Sequence, residues 1–215
     1  MDTVYELRQY TLHPGQRDKL IDIFEREFVE TQEAVGMHLP GMFCDLGDPD
    51  RFVWLRSFAD LPARAAGLQA FYTGPAWRAH RDAANGTMID SDNVLLLRPT
   101  GLGSGFQLDG AVRPPVGADL APAPTVVAVI CYLASPIDDA LLSTFHRDVL
   151  PKSALASFCT LYEDNNFPAL PVRTGEHVIV WFSFEEPGDL LAQLPSWIVD
   201  TEVLQLSPTA RSLLR

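Results

Sequence analysis

An internal repeat constrains this chain more than any other feature. TVYELRQYTLHP at 3–14 returns as TVVAVICYLASP at 125–136, displaced by 122 residues. RFVWLRSF at 51–58 returns as HVIVWFSF at 177–184, displaced by 126, and NVLLLRPT at 93–100 returns as EVLQLSPT at 202–209, displaced by 109. Three segments in one order, each with its own echo, describe two copies of one supersecondary unit. Each segment is short, rich in β-branched and aromatic residues, and bounded by turn residues, which is the pattern of a strand.

The first copy supplies the missing elements. After the strand at 3–12, Pro14 opens a helical stretch to about residue 35, with Leu20, Phe24, Phe28, Thr31 and Val35 on one stripe. A short strand at about 41–46 and the turn Gly47-Asp48-Pro49-Asp50 lead into the strand at 51–58. A helix capped by Asp60 follows, breaks at Gly74-Pro75, and resumes to about residue 84 before the strand at 93–98. The order β-α-β-β-α-β is the ferredoxin-like plait, an antiparallel sheet with both helices on one face and strand one between strands three and four. These strands are apolar on both faces, so the bare face needs a cover, and the second copy provides it. The expected fold class is therefore α+β, with two tandem ferredoxin-like units packed sheet to sheet. The units are 1–99 and 125–215. The segment 100–124 between them, with ten Gly or Pro among residues 99–124, reads as a linker over the surface. The second copy is expected to carry a helix at about 137–150, a strand near 156–162 and a shorter helix at about 189–199.

Charge and composition exclude several classes of function. A net charge of −12, with Lys19 and Lys152 the two lysines, is unsuited to phosphate backbones or anionic lipid, so neither nucleic acid nor membrane is an expected partner. No apolar run is long enough to span a bilayer and the first residues show no leader pattern, which makes the cytoplasm the expected location. Cys44, Cys131 and Cys159 stand apart inside apolar stretches and read as buried thiols. The five histidines form no ligand-spaced pair, so no metal and no cofactor are expected; a single helical histidine, His80 or His146, leaves haem as the alternative.

Comparing the copies locates the candidate chemistry. Glu6 and Arg8 share a face of strand one, Arg56 lies on strand three and Arg98 on strand four, where the echoes align them with Ala128, Ile130, Phe182 and Ser207. One half of the molecule is charged where the other is apolar. Two readings stand: a buried ion network between the sheets, or a one-sided pocket. In the second, Arg8 or Arg56 holds an anionic or carbonyl oxygen and Glu6 acts either as base, its pKa raised by apolar surroundings, or as an orienting group. His80 completes the candidate catalytic set of Glu6, Arg8 and Arg56. Trp54, Tyr72 and Trp77 are candidate substrate-binding residues near the helix break. The connection EDNNFPALPVRTGE at 163–176 is far longer than its counterpart turn, and Asn165, Asn166 and Arg173 on it read as part of a lid or of a surface loop pinned by Phe167.

YELRQYTLHPG, the strand at 51–58, and the helix from Arg64 past Trp77 into LLLRP together resemble the NIPSNAP family, well over 4–99 and more faintly over 125–209. The resemblance implies an intramolecular dimeric α/β barrel, made within one chain by fusion, that is itself a pseudo-dimer and open to further homodimerisation. It also implies neighbours that include cofactor-independent monooxygenases, EthD-like proteins and haem-dependent enzymes. The expected function is a small-molecule enzyme or binder: a cofactor-independent oxygenase, or a proton-transfer enzyme of isomerase or cyclase type, acting on an apolar or aromatic substrate. The alternative is a non-enzymatic structural or interaction protein whose barrel is filled by its own side chains.

Overall fold

The computed structural model describes residues 2–118 and 120–215. Its strands are β1 (Val4–Leu12), β2 (His38–Asp45), β3 (Arg51–Phe58), β4 (Met88–Pro99), β5 (Val126–Leu133), β6 (Ala156–Thr160), β7 (Val178–Ser183) and β8 (Ile198–Pro208). They close into one barrel in the order β1-β3-β2-β8-β5-β7-β6-β4, with β4 returning to β1. Each repeat contributes the four-stranded order of the plait, with β1 between β3 and β4 as expected. The repeats join by backbone pairing at two seams, β2 with β8 and β4 with β6. Closure removes every sheet edge that two separate units would expose.

Alternation along the strands sorts side chains into three cores. Tyr5, Leu7, Leu55, Ala128, Phe158 and Phe182 are among those that fill the barrel interior. An eight-stranded barrel is just wide enough for side chains to fill, and this one is filled. Outward residues of the first repeat pack beneath its helices, and those of the second beneath theirs. The first repeat carries α1 (Arg17–Ile23), a π-helical turn (Phe24–Phe28), α2 (Val29–Glu33), α3 (Leu61–Tyr72) and α4 (Pro75–Asn85). The second carries α5 (Asp139–Asp148) and, where a helix at 189–199 was expected, only a 3-10 turn (Gly188–Gln193). Leu194 is already extended and Pro195 follows, so the helix has no room to continue.

Two expectations are corrected by these faces. Leu7 opposes Leu55 and Ala128 opposes Phe182, and all four point into the barrel. The outward residues Glu6 and Arg8 therefore correspond to Val127 and Val129, and Arg56 to Ser183, one residue away from the match read in the sequence. The charged cluster lies outside the barrel, under the helices, and not between the sheets. Nor is the 100–124 segment merely a surface linker. Phe106 enters the barrel end, its ring 5.2 Å from that of Phe158 and 5.1 Å from that of Phe182, and Ser157 donates its backbone N–H to Ser104 O at 2.8 Å.

Phe106→Ala is expected to destabilise the protein by about 2–4 kcal/mol, as removal of a packed aromatic ring does. Urea unfolding measures it; a change near zero would return this segment to the role of a spacer.

Candidate functional site

The site is set by where α3 begins. Asp60 caps it by accepting the Ala63 N–H at 2.7 Å, and Pro62 in the first turn fixes the entry. One turn on, Arg64 falls on the buried stripe it shares with Gly67, Leu68 and Phe71. A side chain at Gly67 would meet Val35 O at 3.1 Å, so glycine there permits the close approach of α3 to the end of the first helical layer. The result is an arginine pressed onto the outer face of β1 and β3.

Beneath it lies Glu6, fully buried. Glu6 Oε2 accepts from Arg8 Nη1 at 2.6 Å and from Arg56 Nε at 2.7 Å, and Oε1 accepts from Arg64 Nε at 2.7 Å. Arg8, Arg56 and Arg64 are all buried as well. One carboxylate thus faces three guanidiniums, which leaves two positive charges in excess within the protein. Tyr10 OH accepts from Arg8 Nε at 3.0 Å, Tyr72 OH lies 3.5 Å from Arg56 Nη1, and the indole of Trp54 runs under Arg8 and Arg56 with each guanidinium carbon about 5 Å from the ring centre. Among the described residues, Arg56 Nη2 and Arg64 Nη2 have no partner.

This electrostatic setting corrects the role read for Glu6. Burial alone would raise its pKa, but the guanidiniums of Arg56, Arg8 and Arg64 outweigh burial and hold the carboxyl well below the usual carboxylate range. Glu6 is a fixed anion that orients arginines; it is not a proton acceptor at neutral pH. Burial pulls against the charge of Arg8 too, yet Tyr10 and Glu6 outweigh it and raise its pKa. Burial lowers that of Arg64, which arginine's high starting value absorbs.

Arg8 also lines a cleft of about 470 Å³ between β1, β4 and the helices, walled by Tyr10, Tyr72, Trp77, Met88, Phe167 and Leu170, with the exposed carboxylates of Asp90 and Asp92 on its β4 side. The long connection of the second repeat forms its far side. Arg64 Nη1 donates to Asn165 Oδ1 at 3.0 Å and to Asn166 Oδ1 at 2.6 Å, Asn166 Nδ2 donates to Leu61 O, and the Phe167 ring stacks on Tyr72 at 6.1 Å. The second repeat thereby covers the site of the first. A larger cleft of about 860 Å³ opens at the barrel end beside residues 101–109. It is lined by the carboxylates of Asp2, Glu33, Asp109 and Glu163 and the guanidinium of Arg98, and none of Glu6, Arg8, Arg56 and Arg64 borders it.

Several residues singled out from the sequence lie elsewhere. His80 on α4 turns towards the π-helical turn, its Nε2 3.3 Å from Glu27 Oε2 and its ring 6.4 Å from that of Phe28, and does not line the 470 Å³ cleft. His146 Nε2 lies 2.8 Å from Thr100 Oγ1 in the second half of the molecule, so neither helical histidine offers a haem ligand to the cleft. Arg173 points away, bonding Glu176, Tyr132 and Asn93. Arg98 donates to Pro99 O at 3.3 Å, lines the 860 Å³ cleft and stays outside the cluster. Trp54 lies behind the arginines, and Asn165 and Asn166 serve as latches on Arg64. Two members were missed, Tyr10 and Arg64. Arg64 announces itself as the one charge on the apolar stripe of α3. As for the cysteines, all three are free, and burial pushes the Cys131 thiol up to about 12 and the Cys159 thiol to about 11.

Residues 5–102 match the NIPSNAP family profile. The first repeat is thus similar to the NIPSNAP family, and the match stops short of the second repeat. A NIPSNAP-like domain protein of Burkholderia xenovorans shares 26% identity over 47% of this chain and 89% of its own, with a TM-score of 0.43. Among the solved structures that match over nearly the full length of this chain are two named as candidate monooxygenases. That from Lactobacillus acidophilus has 13% identity, a TM-score of 0.56, and coverage of 99% of this chain and 97% of its own. That from Fusobacterium nucleatum has 9% identity, a TM-score of 0.58, and coverage of 96% and 92%. At such identities the likeness is one of fold, the dimeric α+β barrel type. No curated protein matches the chain. Among the described residues, no helix is long and apolar enough to cross a membrane, and no group of three or more His, Cys, Asp or Glu is placed to hold a metal ion.

Glu6→Gln is expected to destabilise the protein by roughly 3–5 kcal/mol at pH 7, because three buried cations lose their anion. Since the folded pKa of Glu6 is depressed, its contribution is complete above the ordinary value of 4.5 and declines as pH falls below it. The stability gap between wild type and variant should therefore close on acidification; unfolding curves at pH 7 and pH 3 that keep the same gap would sink this account.

Proposed function

We propose that this protein binds a small anionic molecule with an apolar body in the cleft above β1 and β4, its negative group resting on Arg8. The observation that carries this reading is the charge excess: three buried guanidiniums against one carboxylate, one of them bordering a cleft. Buried ion clusters whose role is structural tend towards balance, because an uncompensated charge in the interior is costly. A ligand anion supplies the balance. Aromatic walls on one side and a polar anchor on the other are the usual composition of a small-molecule site.

The same arrangement suits chemistry in which negative charge develops on an oxygen. A preoriented guanidinium stabilises an oxyanion as it forms, which favours proton transfer beside a carbonyl, or oxygen addition to the carbanion so made. Glu6 would hold Arg8 and Arg56 in place for this, and the proton acceptor would be another group. A non-enzymatic protein with a self-filled barrel agrees with the packed interior, but it gives the excess charge outside the barrel no purpose.

Calorimetric titration with phenylacetate, against the neutral phenylacetamide, tests the reading. The expected result is one site per chain for the acid and tenfold or weaker binding of the amide. Arg8→Gln should abolish the preference while leaving the thermal midpoint within a few degrees, because its loss reduces the excess positive charge. Equal binding of acid and amide, or none of either, would reject the proposal.

A further inference from the structure

The cleft has a second end. Behind Tyr10, Tyr72, Trp77 and Met88, which border it, lies a cavity of about 30 Å³ walled by Leu20, Phe24, Phe28 and Phe71. Gln32 and Trp54 also line this cavity. Both are buried, and each carries an unpartnered polar atom, the Trp54 Nε1–H donor and the Gln32 Oε1 acceptor. The other amide atom of Gln32 is used, donating to Phe28 O at 3.1 Å. Leaving either group unpaired in an apolar interior costs about 1–3 kcal/mol. A donor and an acceptor on one small cavity are both satisfied by a single hydroxyl, which accepts from the first and donates to the second. The volume suits that: it exceeds the roughly 10–15 Å³ that one water-sized group needs and is far too small for a ring.

We infer that the molecule bound in the cleft is a hydroxyaryl carboxylic acid, its carboxylate on Arg8 and its hydroxyl between Trp54 Nε1 and Gln32 Oε1. The inference rests on the reading of Arg8 as the anion anchor and adds the opposite end. Trp54 joins the two ends. Its ring lies under the Arg8 guanidinium, with 5.5 Å between guanidinium carbon and ring centre, and the same side chain lines the small cavity, so one residue adjoins both anchor and hydroxyl site. A single benzene ring carrying the acid on one side and the hydroxyl on the other reaches from the cleft into the cavity. Tyr72, Trp77 and Phe167 supply aromatic faces for the ring, and half-buried Met88, unbranched and adaptable, is the partition that yields to admit it.

Calorimetry on the full chain with 4-hydroxyphenylacetate and phenylacetate decides the matter. The hydroxylated acid should bind at least tenfold more tightly. Gln32→Leu should erase that difference, bringing 4-hydroxyphenylacetate down to the affinity of phenylacetate. If the two acids bind wild type equally, the hydroxyl site is overturned and the Arg8 anchor stands. If neither binds, the anchor itself fails and takes the inference with it. A preference for the hydroxylated acid that survives Gln32→Leu overturns the assignment to this cavity.

Discussion

Everything around the candidate site depends on a single carboxylate having been taken out of water. Glu6 stands on the central strand of its repeat, and its two oxygens accept from β1 itself, from β3 and from α3. Through Arg64 the same hub reaches Asn165 and Asn166 in the other repeat. A strand, its neighbour, the helix above and a distant loop are therefore positioned by one charged group. Removing an ion from water costs several kcal/mol even after relaxation, and only complete hydrogen bonding recovers it. That requirement fixes the geometry of the arginines more tightly than apolar packing would.

The fold was legible in the sequence because it is written twice. Three echoed strands gave the order of the plait, and apolar character on both faces of each strand called for a second sheet. The faces were harder to read. Strands such as VVAVICYL and VIVWFS are buried on both sides, so a slip of one residue in matching the copies changes no hydrophobic pattern while it exchanges inside for outside. Only the cross-strand pairs Leu7–Leu55 and Ala128–Phe182 resolve it. The charged residues Glu6, Arg8 and Arg56 were found because they differ between the copies, and Arg64 escaped because α3 has no full helical counterpart to differ from. Phe106 escaped for another reason: a lone aromatic among glycines and prolines has no periodicity to mark it.

Fusion explains how the two halves diverged. In a symmetric dimer of identical chains, any residue that covers the partner's site is also present beside its own, and both sites must tolerate it. Within one chain the copies are free of that bond. The second repeat has Val127 and Val129 where the first has Glu6 and Arg8, and has lost most of its second helix. It has gained the connection that carries Asn165, Asn166 and Phe167 across to the first repeat. One half keeps the charged site and the other has become its cover.

The remaining question is whether the arginine cluster is architecture or function, and its arithmetic favours function. For holding β1, β3 and α3 together, one carboxylate and one arginine would be enough, and an apolar trio of similar volume would often do better. Two further buried guanidiniums add desolvation cost and mutual repulsion, with Arg56 and Arg8 each acting to lower the pKa of Arg64. Burial and Glu6 act more strongly on that residue, the first lowering and the second raising it, so the carboxylate restrains the repulsion without removing it. An arrangement that stability alone disfavours is stable in use when a third party brings the missing negative charge. On the proposed reading, the cleft beside Arg8 is where such a group would have access, and the aromatic residues around it would select among anions.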